Sequence, residues 1–321
     1  ITVERGALAH AGEKMNLSRR VLIVTDSGVP KEYAETVAAQ CAAPTVVTVP
    51  AGETSKNLTV FGSLLSRMLA ETFTRTDCVV AVGGGVVGDL SGFAAACYMR
   101  GIDFYNVPTT LLAQVDSSIG GKTAVDLDGV KNCVGAFRQP RAVVIDPDVL
   151  VTLPKRQIAN GMAEAVKMAL TSDAALFEML EAGTADTETV IVRSLRIKKA
   201  VVEADVHESG VRRVLNFGHT LGHGIESAAG LHGLLHGECV AMGMLPMCGP
   251  ALRPRLTNIL RKCGLPTGCG FTPRQLLPYL LHDKKAFSDG ISVVTVDEPG
   301  SFRMEKQTPE EILQRWEETE V

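Results

Sequence analysis

Residues 78–89 read CVVAVGGGVVGD. Cys78 to Val82 is an apolar run of strand length, and it passes straight into Gly83. The run Gly83-Gly84-Gly85-Val86-Val87-Gly88-Asp89 then satisfies G-x-G-x-x-G where a strand gives way to a helix. Glycines let a backbone approach a pyrophosphate closely, and a helix N-terminus offers N–H donors carrying partial positive charge. Two readings fit this turn: a nucleotide-binding loop, and a tight strand-to-helix turn with no ligand. Two details depart from the usual dinucleotide fingerprint. The turn follows the third strand rather than the first, and no acidic residue closes a following strand about 20 residues on. A variant of the Rossmann arrangement is therefore expected.

Working outward, Val21 to Gly28 is an apolar run ending in turn formers, and Thr45 to Val49 is a second, followed by Pro50-Ala51-Gly52-Glu53. Further strands are expected near Phe104 to Val107 and at Ala142 to Ile145, with helical stretches such as Leu58 to Leu69 and Leu90 to Tyr98 between strands. Such alternation predicts an α/β, Rossmann-like domain with a mostly parallel sheet and helices on both faces. Past Leu153-Pro154 the pattern changes. Ile158 to Leu170, Val190 to Ala204, Thr220 to Ala229 and Cys239 to Met247 read as helices with few strand signals. The expected division is an α/β domain over residues 1–153 and an all-helical domain over 154–321.

Composition narrows the function classes. A chain of 321 residues with 45% hydrophobic and 21% charged residues can build two cores, and it is too apolar to be disordered. Its net charge of -4 gives no general attraction to nucleic acid or acidic membranes, so any anion site must be a local cluster of cations. Eight cysteines without one C-x-x-C pair argue against a zinc ribbon or a redox dithiol. Cysteines such as Cys78 and Cys97 sit inside apolar runs, as small core hydrophobes do, so a reducing cytoplasm is the simpler setting. No apolar run approaches membrane-span length, and no basic-then-apolar signal is expected at the start. The chain begins at Ile1 rather than Met, so native residues are expected upstream.

The stretch Val107 to Gly135 is polar and glycine-rich, without the charge alternation of a solvated face. Gly120-Gly121-Lys122-Thr123 resembles the end of a P-loop, but Asp116 stands where the first glycine of G-x-x-x-x-G-K-[ST] belongs. That argues against a nucleoside triphosphatase. A looped cation site for a small phosphate ester and an irregular structural loop both remain open.

The second half carries the clearest chemistry. Asn216-Phe217-Gly218-His219-Thr220-Leu221-Gly222-His223 sets two histidines four apart on one helical face, with Asn216 placed to cap the helix. Leu235-His236-Gly237-Glu238 supplies a third histidine, and Glu164 and Lys167 lie three apart in an otherwise apolar helix. Two histidines and a carboxylate with a position left open make a catalytic zinc site. The bland alternative for any one of them is a core side chain satisfied by backbone. His207 and His232 have no such setting and read as surface residues.

Assembled, these residues resemble the 3-dehydroquinate synthases within the sugar phosphate cyclases, from about Val21 to Lys285. The resemblance implies an NAD- and metal-dependent lyase with the metal, zinc or cobalt, on Glu164, His219 and His236. It implies a substrate-binding, proton-handling role for His223. The substrate pocket it implies comprises Asp116, Lys122, Asn132, Lys167, Lys198, Glu208, Arg212 and Asn216, together with Lys285 or its neighbour Lys284. Arg100 is similar to a residue that reaches the phosphate from a neighbouring subunit, which implies a homodimer. NAD contacts are implied at Asp26, Glu53, Lys56, Gly84, Gly85, Asp89, Thr109, Thr110, Lys131 and Thr152. The first domain would thus bind NAD, and the second the metal and substrate. Gly224, where alanine is common in the family, is a small departure.

The family's reaction converts 3-deoxy-D-arabino-heptulosonate 7-phosphate to 3-dehydroquinate and phosphate, in the shikimate pathway to chorismate and the aromatic amino acids. A hydroxyl is transiently oxidised by NAD, phosphate leaves by β-elimination, the ketone is reduced again, the ring opens and an internal aldol step closes the carbocycle. Three other readings stay in view. One is a metal-dependent polyol or alcohol dehydrogenase, which would need fewer cations than Lys122, Lys167, Lys198 and Arg212. Another is a sibling cyclase whose substrate lacks the carboxylate that Arg212 would hold. The third is a catalytically silent NAD-binding protein.

Overall fold

The computed structural model describes residues 1–230, 233–282 and 290–319. The chain divides into two compact units, Ile1–Pro154 and Lys155–Val321. In the first unit the elements are β1 (Thr2–Val3), β2 (Arg20–Asp26), α1 (Lys31–Ala38), β3 (Ala43–Val49), α2 (Leu58–Ala70), β4 (Cys78–Gly83), α3 (Gly85–Cys97), β5 (Asp103–Pro108), β6 (Lys122–Leu127), β7 (Val130–Phe137) and β8 (Ala142–Ile145). Six strands form one sheet in the order β1-β8-β5-β4-β2-β3, and every neighbouring pair is parallel. All five strands expected from the sequence belong to it.

Both faces of its inner strands are buried, which is why these read as continuous apolar runs. Successive residues alternate between two cores. Leu22, Val24, Val79 and Ala81 pack with Leu64, Met68 and Leu90 of α2 and α3. Val21, Ile23, Val80 and Val82 pack on the other side with Ala34 and Val37 of α1. The strand order reverses between β2 and β4, so the glycine turn leaves the sheet at its topological switch point, where open α/β sheets bind ligands.

The stretch read as a loop is more ordered than expected. One π-helical turn spans Ala113–Ser117, and an antiparallel hairpin pairs β6 with β7. Asp128 and Gly129, at φ 50 and 79, form its two-residue turn. Asp-Gly is a strong hairpin signal, here obscured by the surrounding polarity. The hairpin packs on α3 at Gly92, where an added Cβ would lie 2.5 Å from Thr123 Cγ2 and 3.0 Å from Phe104 Cε1.

The second unit contains α4 (Lys155–Ser172), α5 (Ala174–Ala182), α6 (Thr187–Ala204), α7 (His219–Ala229), α8 (His236–Met244), α9 (Arg253–Lys262), α10 (Pro273–His282) and α11 (Pro309–Glu317). It is helix-rich but not purely helical. An antiparallel ribbon joins β9 (Ile291–Thr295) to β10 (Arg303–Gln307). The helix α7 crosses α8 with backbones almost touching. A Cβ on Gly222 would meet Val240 Cα at 3.1 Å, and one on Gly243 would meet the Gly218 carbonyl at 2.1 Å.

Replacing Gly92 by alanine should destabilise the protein by about 1–3 kcal/mol, because overpacking forces α3 away from the hairpin. The denaturant midpoint of Gly92→Ala checks this, and an unchanged midpoint would show that the contact yields freely.

Candidate active site

In the first unit the sequence-expected residues gather at the carboxyl ends of the strands. Asp26 closes β2, and its Oδ1 accepts from the Gly28 N–H at 2.7 Å. The Thr109 N–H, just past β5, donates to the Gly83 carbonyl at 3.0 Å and ties the glycine turn to its neighbour. Gly84 and Gly85 leave little space beyond the backbone: a Cβ on Gly84 would lie 3.0 Å from Thr110 Cγ2, and one on Gly85 3.1 Å from Ser117 Oγ. No side chain caps the N-terminus of α3. A helix start bare of side-chain acceptors, beside a turn with no side chains, fits a pyrophosphate.

Lys56 organises the rest of this cluster although it is only 5% exposed. Its Nζ lies 2.6 Å from Asp89 Oδ2 and 3.8 Å from Glu53 Oε1, and it donates to Asn132 Oδ1. Burial works against the charged ammonium, but Asp89 and Glu53 outweigh it and raise its pKa. Asn132 takes a left-handed backbone, φ 54, and its N–H donates to Asp126 Oδ1 at 2.8 Å. Three residues from three separate stretches thus meet around one cation. Thr152 stands apart against Tyr33, with Oγ1 3.0 Å from the phenol oxygen. Asp116 lies on the π-helical turn, and Lys122 and Lys131 are exposed on the hairpin.

Arg100 is not part of this gathering. It follows α3, whose 13 residues span about 20 Å, so it lies a helix length from Gly85. Met99 and Arg100 are exposed and adopt φ 49 and 66 in succession. Each left-handed non-glycine residue costs about 1–2 kcal/mol.

In the second unit Glu164, His219 and His236 converge from α4, α7 and α8. One ligand atom from each lies within 4.8 Å of the others. Glu164 Oε1 is 3.5 Å from both His219 Nε2 and His236 Nε2, longer than an ordinary hydrogen bond. On the outer side, His219 Nδ1 is 3.1 Å from the Phe217 carbonyl and His236 Nδ1 is 3.2 Å from Glu226 Oε2. When each Nδ1 donates to its acceptor, both Nε2 lone pairs face the carboxylate oxygen. Lone pairs so arranged repel unless a cation stands among them, and Oε1 has no hydrogen-bond donor of its own. The donor set fits a divalent metal with an open position.

The electrostatics favour the deprotonated ligand forms at Glu164 and His219, and the charged form at His236. Burial alone would raise the Glu164 pKa, but the Lys167 ammonium at its Oε2 and the two imidazoles hold it well below the ordinary carboxylate range. For His219, burial and then Lys167 depress the pKa. For His236, burial works against the imidazolium, yet Glu164 and Glu226 raise the pKa to about 9. His223 is exposed one turn beyond His219, its ring centroid 5.3 Å from that of His219 and 5.9 Å from that of His236.

Two family models match the chain in succession. A family model described as 3-dehydroquinate synthase N-terminal matches residues 46–160, and one described as 3-dehydroquinate synthase C-terminal matches 161–286. The chain belongs to the 3-dehydroquinate synthase family. A 3-dehydroquinate synthase of Symbiobacterium thermophilum is 47% identical over 88% of this chain and 86% of that protein. Among solved structures, 2-epi-5-epi-valiolone synthase from Streptomyces hygroscopicus subsp. jinggangensis 5008, with NAD+ and Zn2+ bound, superposes with a TM-score of 0.90. It is 29% identical, over 99% of this chain and 95% of the other. A 2-deoxy-scyllo-inosose synthase complexed with carbaglucose-6-phosphate, NAD+ and Co2+ gives 0.89 at 28% identity, over 99% and 96%.

Of the other residues expected from the family resemblance, Lys167 neighbours Glu164 on α4, and Glu208, Arg212 and Asn216 lie on the segment between α6 and α7. Lys167 and Lys198 are buried on α4 and α6. Arg212 is buried, and its Nη1 donates to the Val206 carbonyl at 2.6 Å. Asn216 does not cap α7. The chain turns left-handed at Gly218, φ 77, so α7 opens at His219, and Asn216 Nδ2 donates instead to Glu208 Oε1 at 2.7 Å. The helix α8 starts at His236, ahead of the expected Cys239, because the Glu238 carboxylate accepts from the Leu235 N–H at 2.8 Å. His207 is exposed, whereas His232, Lys284 and Lys285 lie outside the described residues.

Sequence reasoning passed over Asp205. Its carboxylate accepts from the backbone N–H groups of Ser209, Gly210 and Arg212 and so folds the loop that carries Glu208 and Arg212. Burial opposes its ionisation, but these donors bring its pKa down to about 2. A depressed carboxylate stabilises the fold above its unfolded pKa, and that contribution disappears as pH falls through about 2. Acid unfolding of Asp205→Asn should therefore part from that of the parent near pH 4 and above and converge with it near pH 2. Parallel curves throughout would show that the carboxylate does not hold the loop.

Proposed function

We propose that this chain converts 3-deoxy-D-arabino-heptulosonate 7-phosphate into 3-dehydroquinate and inorganic phosphate, the carbocycle-forming step of the shikimate pathway. The observation that carries the reading is the Glu164–His219–His236 donor set, a buried oxygen facing two imidazole nitrogens, in a chain that matches this family through both units. When bound, NAD and a divalent metal, zinc or cobalt, supply reversible hydride removal and Lewis-acid polarisation of the hydroxyl to be oxidised.

The residues of the chain supply position and charge. Glu164, His219 and His236 would hold the metal. The α3 N-terminus with Gly84 and Gly85 would hold the NAD pyrophosphate, and Asp26, Glu53, Lys56, Asp89, Thr109, Thr110, Lys131 and Thr152 would line the rest of the cofactor. Lys122, Lys167, Lys198 and Arg212 would meet the substrate's phosphate and carboxylate, with Asp116, Asn132, Glu208 and Asn216 orienting its hydroxyls. Each charge-assisted hydrogen bond contributes about 1.5–3 kcal/mol, enough for bound substrate to offset repulsion among those cations. The residues so assigned include four cations, so the departing phosphate is itself the acceptor for the proton lost in elimination, with His223 handling protons at the hydroxyls.

Arg100 supports a homodimer. It stands a helix length from the glycine turn of its own chain, on strained and exposed backbone, as a residue serving a neighbouring subunit would. A sedimenting species of twice the chain mass would bear this out. Eight free cysteines suit a reducing cytoplasm, and no helix among the described residues is long and apolar enough to cross a membrane.

Phosphate release from the seven-carbon substrate should proceed without net NADH, stop on chelation and return with zinc or cobalt. Steady absorbance growth at 340 nm with simple polyols would point to a dehydrogenase instead. The variant Arg212→Ala should lose about 100-fold or more in kcat/KM, equivalent to some 2.7 kcal/mol. Full activity in that variant would favour a sibling cyclase whose substrate lacks the carboxylate.

A further inference from the structure

The two imidazoles of the triad are anchored differently. His219 Nδ1 faces a backbone carbonyl, that of Phe217. His236 Nδ1 faces a side-chain carboxylate, Glu226 Oε2, at 3.2 Å. We propose that Glu226 is the positioning residue for His236, fixing its ring orientation and tautomer so that Nε2 presents a lone pair to the metal. The proposal rests on reading the triad as a metal site.

Three features of the second unit converge on this role. Glu226 lies seven residues beyond His219 and three beyond His223, so ligand, neighbouring imidazole and anchor occupy one stripe of α7. The glycine-tight crossing of α7 and α8 brings that stripe within reach of the first residue of α8. The backbone of His236 is already immobilised from the far side. The Gly237 N–H donates to Asn160 Oδ1 at 2.6 Å, and Arg156 grips Glu238 through Nε at 2.6 Å and Nη2 at 2.8 Å. What remains free at His236 is rotation about its side-chain bonds, and the Nδ1···Oε2 contact removes it.

An orienting acceptor also decides the tautomer. With the proton held at Nδ1 toward Glu226, the metal-facing nitrogen keeps its lone pair, and the carboxylate increases the basicity of the ring. An ordinary helix-to-helix ion pair would have the same geometry but no effect on metal affinity, and that difference is measurable.

Zinc affinity of the full chain is to be measured by competition with a chromophoric chelator for the parent, Glu226→Ala, Glu226→Gln and Glu164→Ala, with the visible spectrum of each cobalt-loaded form. Glu226→Ala should bind zinc about 10–100-fold more weakly and shift the cobalt bands. Glu226→Gln, whose amide oxygen still accepts from Nδ1, should recover most of the affinity even if the alanine variant folds poorly. Zinc affinity within twofold of the parent in both Glu226 variants, with unaltered cobalt spectra, overturns the proposal. If instead Glu164→Ala binds zinc as tightly as the parent, the triad reading itself fails and takes this proposal with it.

Discussion

A carboxylate with 1% of its surface exposed cannot remain charged alone, and the second unit is organised around that fact at Glu164. Lys167, one turn away on the same helix, meets one oxygen. The other faces two imidazoles brought in by α7 and α8. Each of these helices has a specific device that places its ligand. Gly218 turns the chain so that α7 begins at His219, and Glu238 starts α8 at His236. Glycines at the crossing let the two helices approach without side chains between them. Lys167 compensates the buried charge, and the layout leaves an oxygen and two nitrogens aimed at one point.

The first unit solves a different problem, the approach of an anion to backbone. Its central strand β4 runs into three glycines at the reversal of strand order, and the following helix starts with no side-chain cap. Charge there is kept at a distance and neutralised in pairs, as with Lys56 against Asp89 and Glu53. Anion binding would then draw on helix-terminal N–H groups rather than on a lysine side chain.

Much of this was legible along the chain, and the misses have physical causes. Buried parallel strands advertise themselves as apolar runs, so β2, β4, β5 and β8 were readable, and the half-exposed edge strand β3 was readable by its β-branched residues. The hairpin β6–β7 was not, because half-exposed strands carry polar residues, and its Asp128-Gly129 turn was the only strong cue. The ribbon β9–β10 was missed for another reason: β9 is a short, largely buried run of five residues in an otherwise helical half of the chain. Asn216 looked like a cap by its residue type, yet Glu208 competes for its side chain. Asp205 and Glu226 escaped notice because acidic residues on loops and helix faces are usually just solvated.

Periodicity and spacing alone determined the two-part plan, the glycine turn, and the residue types able to ligate a metal, since burial and helical pitch act on each element locally. They could not decide which nitrogen of each histidine faces inward, which carboxylate orients it, or that one ammonium gathers Glu53, Asp89 and Asn132. Those are relations among side chains far apart in sequence, set only when packed helices and strands bring them within a hydrogen bond of one another.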